Sequence, residues 1–339
     1  MCILKAHGEQ TGGTMTTDTK LTVIVNPYKD DFIGPTISDS EIQEIRSHMS
    51  FQVDIVTIAQ YLATPANTGV VWPYFRTKPT KRSHDVLAHT RSDIPVINDY
   101  RRWAHDWAMK YESNMHALYN RVPTPFTKRI VKSDDLLAGD LEYPIVVKGY
   151  PSGQGSDVHL CETPTQAKAT FEALKLKGLQ VLAQEYVSES HGTDLRVMVS
   201  NQQVVGAKQR TAGTDPDGNQ GFQANVSRNG RFSDYDLTAS DATIVDLTIT
   251  AFPTDVAGFD FLFGARSLLF TEVNLAPYWG GAANVLLDPI QDLVINLSTK
   301  RDTNRRPSGG GSSKMDLQPT LSCDFTQRPI TTPKTLLGR

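Results

Sequence analysis

The segment that most constrains the fold lies near the C-terminal end, where two strongly apolar runs flank a short turn. The residues run VAGFDFLF, then Gly264 to Arg266, then SLLFTEV. Apolar runs of this length that are separated by a glycine turn predict an antiparallel hairpin. Asp260 lies in the first strand, while Glu272 and Asn274 lie two positions apart in the second. We therefore expect these three polar side chains to meet on one face of a sheet.

This polar group has two interpretations. Two carboxylates buried together without a cation are costly, and carboxylate and amide oxygens are the ligands that Mg²⁺ prefers. Asp260, Glu272 and Asn274 are therefore candidate metal ligands. The alternative is an ordinary polar sheet face that contacts solvent.

A second candidate feature is a lysine followed by a loop of small residues. The run IVVKGY predicts a strand that contains Lys148, and the loop PSGQGSD follows it. Small residues such as Gly153, Gly155 and Ser156 let backbone N–H groups approach a phosphate, and the lysine adds positive charge. The alternative is an ordinary hairpin loop.

A third feature is a group of cations on neighbouring strands. The runs DLRVMVS and QVVGAKQR flank the pair Asn201-Gln202, which predicts a hairpin. Arg196, Lys208 and Arg210 lie on these strands, and Asn225 follows a glycine-rich loop. Cations and an amide in this arrangement could stabilise charge on a transferring phosphoryl group. Each of them could equally be a solvent-exposed side chain.

The first hundred residues show a different pattern, in which short strands alternate with helical stretches. LTVIV, VDIVTI, Val70 to Trp72 and Pro95 to Ile97 are predicted strands, and Ser38 with Glu41 has capping-box spacing at the start of a helix. This alternation predicts a small α/β unit with a parallel sheet. The segment from Tyr100 to Tyr119 is predicted to be helical, with its tryptophans in packing contacts.

These patterns divide the chain into five parts. We predict a disordered leader (1–20), an N-terminal α/β domain (21–98), a central lobe (99–184), a C-terminal lobe (185–300) and a disordered tail (301–339). In the tail, 18 of 39 residues are Pro, Gly, Ser or Thr, and the apolar periodicity stops.

Composition excludes several classes of protein. The 34 basic and 37 acidic residues give a net charge of −3, which provides no general attraction to nucleic acid or an anionic membrane. No apolar run is long enough to span a bilayer, and the first twenty residues lack the apolar core of a signal peptide. The three widely separated cysteines exclude a disulfide framework. A reduced, cytoplasmic environment is therefore expected.

In their order and spacing, these motifs resemble the ATP-grasp superfamily, and within it the branch of ribosomal-protein-modifying glutamate ligase-like (RimK-type) carboxylate–amine ligases. The resemblance covers about Lys110 to Ala283. IVVKGYPSGQGSDV is similar to the lysine strand and phosphate-covering loop, VLAQEYV to the adenine-holding hinge, and GFDFLFGARSLLFTEVN to the paired metal-ligand strands. The fold class implied is an α/β N-terminal domain plus an α+β ATP-grasp fold whose two lobes clamp ATP.

The resemblance also implies a role for each matching position. The nucleotide-binding residues it implies are Lys110, Lys148, Gly153, Gly155 and Ser156 at the phosphates, Glu185, Tyr186 and Val187 at adenine, Asp194 at the ribose, and Asn225 at phosphate or metal. Asp260, Glu272 and Asn274 would hold two Mg²⁺, with Mn²⁺ as an alternative ion. Arg210 would steady the transferred phosphoryl group, and Arg196 would orient the acyl phosphate or the carboxylate substrate.

The sequence departs from the family pattern in two places. Asp157 stands where the phosphate-covering loop usually has another glycine, and the bulky Tyr278 and Trp279 follow the metal-ligand strand. These departures put in doubt any transfer of substrate identity from relatives.

The activity implied is ATP-dependent amide or peptide bond formation through an acyl phosphate, with release of ADP and phosphate. The substrates would be an amino acid or peptide carboxylate and an amine, with no nucleic acid or membrane partner, and a homo-oligomer is left open. Two alternatives remain: a non-catalytic ATP-binding scaffold or sensor, and a kinase that stops at phosphoryl transfer.

Overall fold

The computed structural model describes residues 19–25, 38–75, 81–99, 101, 109–137, 139–150, 152, 155, 157–214, 220–224, 230–277 and 283–304. Nearly all of the predicted leader and tail, and the tryptophan-containing stretch 102–108, lie outside these ranges. The ordered elements extend slightly beyond the predicted limits, because the first strand starts at Lys20 and the last helix ends at Asn304.

The N-terminal strands form the predicted parallel sheet. β1 (Lys20–Val25) lies between β2 (Gln52–Thr57) and β3 (Val70–Pro73), and both pairings are parallel. The prediction of a strand from Pro95 to Ile97 was wrong, because these residues form only a single β-bridge, between Val96 and Val71. The chain turns away immediately afterwards, since Asn98 adopts a left-handed backbone conformation with φ 54°.

Short helices connect these strands. They are α1 (Asp39–His48), α2 (Ile58–Ala63) and α3 (Lys81–His89). The predicted capping box at the start of α1 is confirmed, because Glu41 N donates to Ser38 Oγ at 3.3 Å and Ser38 N donates to the Glu41 carboxylate at 3.0 Å. The reciprocal bonds satisfy backbone donors that the first turn leaves free.

The second sheet is antiparallel and carries the lysine strand. Its order is β4 (Thr127–Ile130), β7 (Gln180–Glu185), β5 (Ile145–Tyr150) and β6 (Val158–Cys161). α5 (Pro164–Leu176) covers one face of this sheet, and its buried Phe171 and Leu174 pack into the core between them. The opposite face carries Lys148 and the buried Gln184.

The third sheet is also antiparallel and has five strands. Their order is β10 (Arg231–Asp234), β9 (Gln203–Thr211), β8 (Thr193–Ser200), β11 (Val256–Phe263) and β12 (Leu268–Asn274). The β8–β9 and β11–β12 hairpins are both as predicted. α4 (Lys110–Tyr119) and α6 (Ala239–Ala251) contribute to its core, which contains the buried rings of Phe252, Phe259, Phe261 and Phe270.

A β-bulge lies in the β11–β12 hairpin at the polar group. Asp260 pairs with Glu272, but the next residue, Phe261, pairs with Phe270, so Thr271 is the extra residue. In a regular strand Phe270 and Glu272 would share a face. The bulge places them on opposite faces, so that Phe270 is fully buried in the core while Glu272 lies with Asp260.

The C-terminal helix joins the first sheet to the third. α7 (Ala283–Asn304) contributes Leu286, Ile290 and Val294 to an apolar core that also contains Trp72 of β3 and Met198 of β8. None of the helices in the described ranges has the length and apolar character that a membrane-crossing segment needs.

Candidate functional site

One face of the third sheet carries a row of charged side chains from adjacent strands. The cross-strand partners are Lys208 of β9, Arg196 of β8, Asp260 of β11 and Glu272 of β12. Side chains that oppose one another across neighbouring strands lie on the same face within contact distance. The pairing therefore brings predicted metal ligands and predicted catalytic cations together.

Asp260 lies at the centre of this group and binds both arginines. Arg196 Nε and Nη2 each donate to its carboxylate at 2.7 Å, and Arg210 Nη2 lies 3.0 Å from Oδ2. Only 6% of the Asp260 side chain and 7% of the Arg210 side chain are exposed. Such bidentate, charge-assisted bonds are strong and fix the orientation of both partners.

Glu272 is paired with Lys110, which is contributed by α4. The two side chains form an ion pair between Lys110 Nζ and Glu272 Oε2. The helix is held in place by Asn114, whose Nδ2 donates to the carbonyl of Thr271 at 2.6 Å. This bond to the bulged residue of β12 sets the distance between the start of α4 and Glu272.

Both carboxylates are ionised in this environment. Burial raises the pKa of Asp260, but Arg196 and Arg210 outweigh burial and hold that pKa well below its usual range. Burial likewise opposes ionisation of Glu272, and Lys110 reverses the effect, so that its pKa is also lowered. Arg210 remains protonated because Asp260 and Asp194 raise its pKa against the effect of burial.

Lys148 reaches this site from the second sheet. Its Nζ donates to Gln184 Oε1 at 2.6 Å. Burial and the neighbouring charge of Lys110 lower the pKa of Lys148 to about 8, although Glu272 and Asp260 partly oppose them. Four cations (Lys110, Lys148, Arg196 and Arg210) thus accompany three carboxylates, and the site has a surplus of positive charge.

The donor set fits a hard divalent cation. Asn274 Nδ2 lies 3.3 Å from Asp260 Oδ2 and 3.5 Å from Glu272 Oε1, so the three predicted ligands are adjacent. No group of three His, Cys, Asp or Glu side chains in the described ranges has a metal-binding arrangement, and the third donor of this patch is the Asn274 amide. Because Lys110 and the two arginines bind the same carboxylates, a cation that binds there must displace part of these ion pairs.

The predicted adenine segment lies at the end of β7. Glu185 N donates to the Phe126 carbonyl at 2.8 Å, and Phe126 N donates to Glu185 Oε2 at 3.1 Å. The Glu185 side chain therefore braces the segment, which is consistent with a role for backbone groups in holding a ligand. Tyr186 forms a hydrogen bond with His191 Nδ1, and Val187 is buried.

Part of the predicted phosphate-covering loop is described. Gly155 has φ 70°, a conformation that side chains rarely adopt. Asp157 is buried, and its carboxylate accepts a hydrogen bond from Lys177 Nζ at 2.7 Å while its carbonyl accepts one from Gly149 N at 2.8 Å. The departure from the family pattern at this position therefore ties the end of the loop to α5. The predicted site residues Gly153, Ser156 and Asn225, and also Tyr278 and Trp279, lie outside the described residues.

The structure gives Asp194 and Lys208 partners that the sequence did not predict. Both carboxylate oxygens of Asp194 accept bonds from Arg210, one of them at 2.8 Å, so in this structure Asp194 orients Arg210, and its predicted contact with a ribose stays a prediction. Lys208 forms an ion pair with Asp234 of β10, its cross-strand partner.

Three further residues organise the site and are not among the sequence-based candidates: Asn114, Gln184 and Gln223. Gln184 directly follows the apolar residues VLA of strand β7 and precedes Glu185, the first predicted adenine contact. A polar residue at the end of an apolar strand is a sequence signal that could have identified it. Gln223 Nε2 donates to the carbonyl of Val158, which links the loop after β9 to β6. Nothing in the local pattern indicates that long-range contact.

Comparison with known proteins identifies the family of this chain. The family model described as a RimK-like ATP-grasp domain matches residues 115–288. The match includes every strand of the second and third sheets and all the predicted site residues except Lys110.

Individual relatives cover more of the chain. A probable alpha-L-glutamate ligase of Mannheimia succiniciproducens is 29% identical over 265 residues, which is 76% of this chain and 85% of the relative.

Solved structures share the fold. D-alanine–D-alanine ligase from Bacillus anthracis in complex with ATP has a TM-score of 0.62 at 14% identity, over 85% of this chain and 100% of that one. An ATP-grasp RimK domain protein from Sphaerobacter thermophilus has a TM-score of 0.57 at 17% identity, over 83% and 98%.

The predicted fold class is therefore confirmed: an ATP-grasp fold that follows a parallel α/β unit. Members of this family use ATP with Mg²⁺, and the matches support ATP-dependent ligation of a carboxylate to an amine. The chain belongs to the RimK-like ATP-grasp family and is a ligase that forms carbon–nitrogen bonds.

Proposed function

We propose that this ligase joins an amino acid to the carboxylate of a peptide or of another amino acid through an acyl phosphate. A carboxylate is a poor electrophile, because direct attack by an amine would have to expel oxide. Transfer of the γ-phosphoryl group of ATP to a carboxylate oxygen breaks the bond between the γ-phosphorus and the bridging oxygen and releases ADP. The amine then forms the C–N bond, inorganic phosphate leaves, and the amine gives up a proton.

The observation that carries this proposal is the convergence of cations from both sheets and from α4 on Asp260 and Glu272. Lys148 and Lys110 would hold the phosphates, and Arg210, fixed by Asp194 and Asp260, would face the transferred phosphoryl group. Preorganised cations stabilise the charge of such a transfer without reorganisation.

Arg196 is the second proposed catalytic cation. Its guanidinium is held by both oxygens of Asp260, and it would orient the substrate carboxylate or the acyl phosphate. We further propose that Asp260, Glu272 and Asn274 hold two Mg²⁺, or Mn²⁺ in their place. Such ions, when bound, supply charge neutralisation at the phosphates.

The remaining nucleotide contacts are proposed as well. The loop containing Gly153, Gly155 and Ser156 would cover the phosphates together with Asn225. The backbone of Glu185, Tyr186 and Val187 would hold adenine. Asp194 would contact the ribose, because its carboxylate keeps acceptor capacity beside the two bonds from Arg210.

The name of the curated relative, probable alpha-L-glutamate ligase, makes L-glutamate the first amine to test. The purified protein would be incubated with ATP, Mg²⁺, L-glutamate and a pool of peptides, and products would be weighed by mass spectrometry. We expect a product that is lighter by one water than its two substrates, with one ADP and one phosphate per amide bond. Hydroxylamine should trap the acyl phosphate as a hydroxamate.

The matched variants are Glu272→Gln at the site and Glu172→Gln on the exposed face of α5. The first should abolish amine-dependent phosphate release, and the second should leave it unchanged. Full activity of Glu272→Gln would contradict the metal assignment. Phosphorylated carboxylate without amide would indicate a kinase, and ATP binding without turnover on any pool would indicate a scaffold or sensor.

A further inference from the structure

Gln184 is a buried amide at the centre of the second sheet. It lies on β7, between β4 and β5, and only 1% of the residue is exposed. A buried amide is costly unless its donors and acceptor are satisfied. The hydrogen-bond partners of Gln184 therefore indicate its role.

Both ends of the amide are hydrogen-bonded. Nε2 donates to Thr127 Oγ1 at 2.8 Å, and Oε1 accepts from Lys148 Nζ at 2.6 Å. The Thr127 hydroxyl donates in turn to the carbonyl of Pro125 at 2.9 Å. A hydroxyl has one proton to donate. Because Pro125 takes that proton, the threonine oxygen must accept from the amide, which orients Oε1 towards Lys148.

The chain of bonds gives Lys148 a neutral partner. An ammonium group has three donors, and the bond to Gln184 uses one, so that two remain for an anionic ligand. A carboxylate at this position would neutralise the lysine, as Glu272 does for Lys110. An amide instead fixes the direction of the ammonium and preserves its charge.

The same network reaches the predicted adenine segment. Gln184 directly precedes Glu185, which exchanges hydrogen bonds with both backbone groups of Phe126, and Phe126 directly precedes Thr127. Strand β4, the adenine segment and Lys148 are thus connected by consecutive bonds. Glu185 is held to Phe126 by its own backbone and carboxylate, so the predicted adenine segment keeps contacts that do not involve the Gln184 amide.

We propose that Gln184, oriented by Thr127, is a positioning residue that directs the Lys148 ammonium towards the phosphates of the bound nucleotide. The inference rests on the proposed nucleotide contact of Lys148. Loss of the Gln184 amide should therefore weaken binding of the phosphates and leave binding of adenosine unchanged.

The test compares two probes, ATP and adenosine, in competition with a fluorescent ATP analogue on the full chain. Gln184→Leu removes both bonds at similar volume. A hydrogen bond to a charged group corresponds to about a tenfold change in a dissociation constant. We expect Gln184→Leu to weaken ATP about tenfold and to leave adenosine within about twofold of the unaltered protein.

A double-mutant cycle separates positioning from general damage. If Gln184 acts through Lys148, then Gln184→Leu in a Lys148→Met background should not weaken ATP further. Equal weakening of ATP and adenosine, an unchanged ATP affinity of Gln184→Leu, or an undiminished effect in the Lys148→Met background would each overturn the inference.

Thr127 offers a milder pair of variants, should Gln184→Leu fail to fold. Thr127→Val removes the hydroxyl that orients the amide, and Thr127→Ser restores it. We expect Thr127→Val to weaken ATP about threefold and Thr127→Ser to recover the affinity. Lack of recovery would contradict the orienting role. Amide formation by the unaltered protein is measured in parallel, so failure of the proposed reaction is seen separately from these affinities.

Discussion

Lys148 differs from the other cations of the site in the kind of group that holds it. Lys110, Arg196 and Arg210 are each paired with a carboxylate, while Lys148 is bonded to the Gln184 amide. Burial and the neighbouring charge of Lys110 are only partly offset by Glu272 and Asp260, and the pKa of Lys148 falls to about 8. The charge of Lys148 thus changes at mildly alkaline pH.

The affinity for ATP should therefore depend on pH. Below a pH of about 8 Lys148 is protonated and attracts phosphate, and as the pH rises through this value the charge is lost. We expect the dissociation constant for ATP to rise with pH, approaching about tenfold per pH unit well above the pKa. Calorimetric titration between about pH 7.5 and 9.5 measures this dependence.

Lys148→Arg is the control for that titration. A guanidinium remains charged throughout this range, so the variant should lose the pH dependence whatever its absolute affinity. A rise in the dissociation constant of equal size in Lys148→Arg would assign the titration to another group.

At the scale of elements, turns and bulges decide which side chains enter the site. The β8–β9 hairpin aligns Asp194 with Arg210 and Arg196 with Lys208. Its two-residue turn has positive φ at both positions, 50° at Asn201 and 61° at Gln202. This is the type I′ geometry that matches the twist of a hairpin. Asparagine tolerates it well, but glutamine does not.

Replacement of Gln202 by glycine should therefore stabilise the protein. Glycine adopts a positive φ without steric cost, and we expect Gln202→Gly to raise the free energy of unfolding by about 1 kcal/mol. Urea denaturation would measure the change. Gln202→Ala keeps the Cβ atom and should give no comparable gain; equal gains from both would assign the effect to loss of the amide side chain.

At the scale of the whole molecule, residues that follow the first sheet are coupled to the end of β12. The side chain of Asn98 donates to the carbonyls of Val256 and Leu275 at 2.6 and 3.0 Å and accepts from two backbone amides at the start of β11. Tyr74 Oη donates to the Pro277 carbonyl at 3.0 Å. The residues that follow Asn274 are thus held by groups distant in sequence.

Loss of the Asn98 side chain should be strongly destabilising. Because Asn98 has φ 54°, Asn98→Gly removes the hydrogen bonds without adding backbone strain. We expect the free energy of unfolding to fall by about 2–4 kcal/mol, since several buried backbone groups lose their partner. Asn201→Gly provides the matched control, because it changes an exposed asparagine of similar φ and should cost less than about 0.5 kcal/mol. Similar losses in both variants would rule out the coupling role.

Both hairpins, the parallel first sheet and the chemical identity of the polar groups could be predicted from the amino-acid sequence. They follow from alternation, turn residues and apolar runs, which are local properties of the chain. The ATP-grasp fold class followed from the resemblance of the motifs to that family. The family resemblance rested on the same segments, so the candidate catalytic residues and metal ligands could be named from the sequence.

How those groups are paired could not be predicted from the sequence and follows from the three-dimensional arrangement of the strands. The bulge at Thr271 separates Phe270 from Glu272, Asp194 binds Arg210, and Gln184 holds Lys148. Pro95 to Ile97 form a single bridge and not the predicted strand. Register and ion pairing depend on which distant strands become neighbours, and their energies are set by burial that no local window of sequence contains.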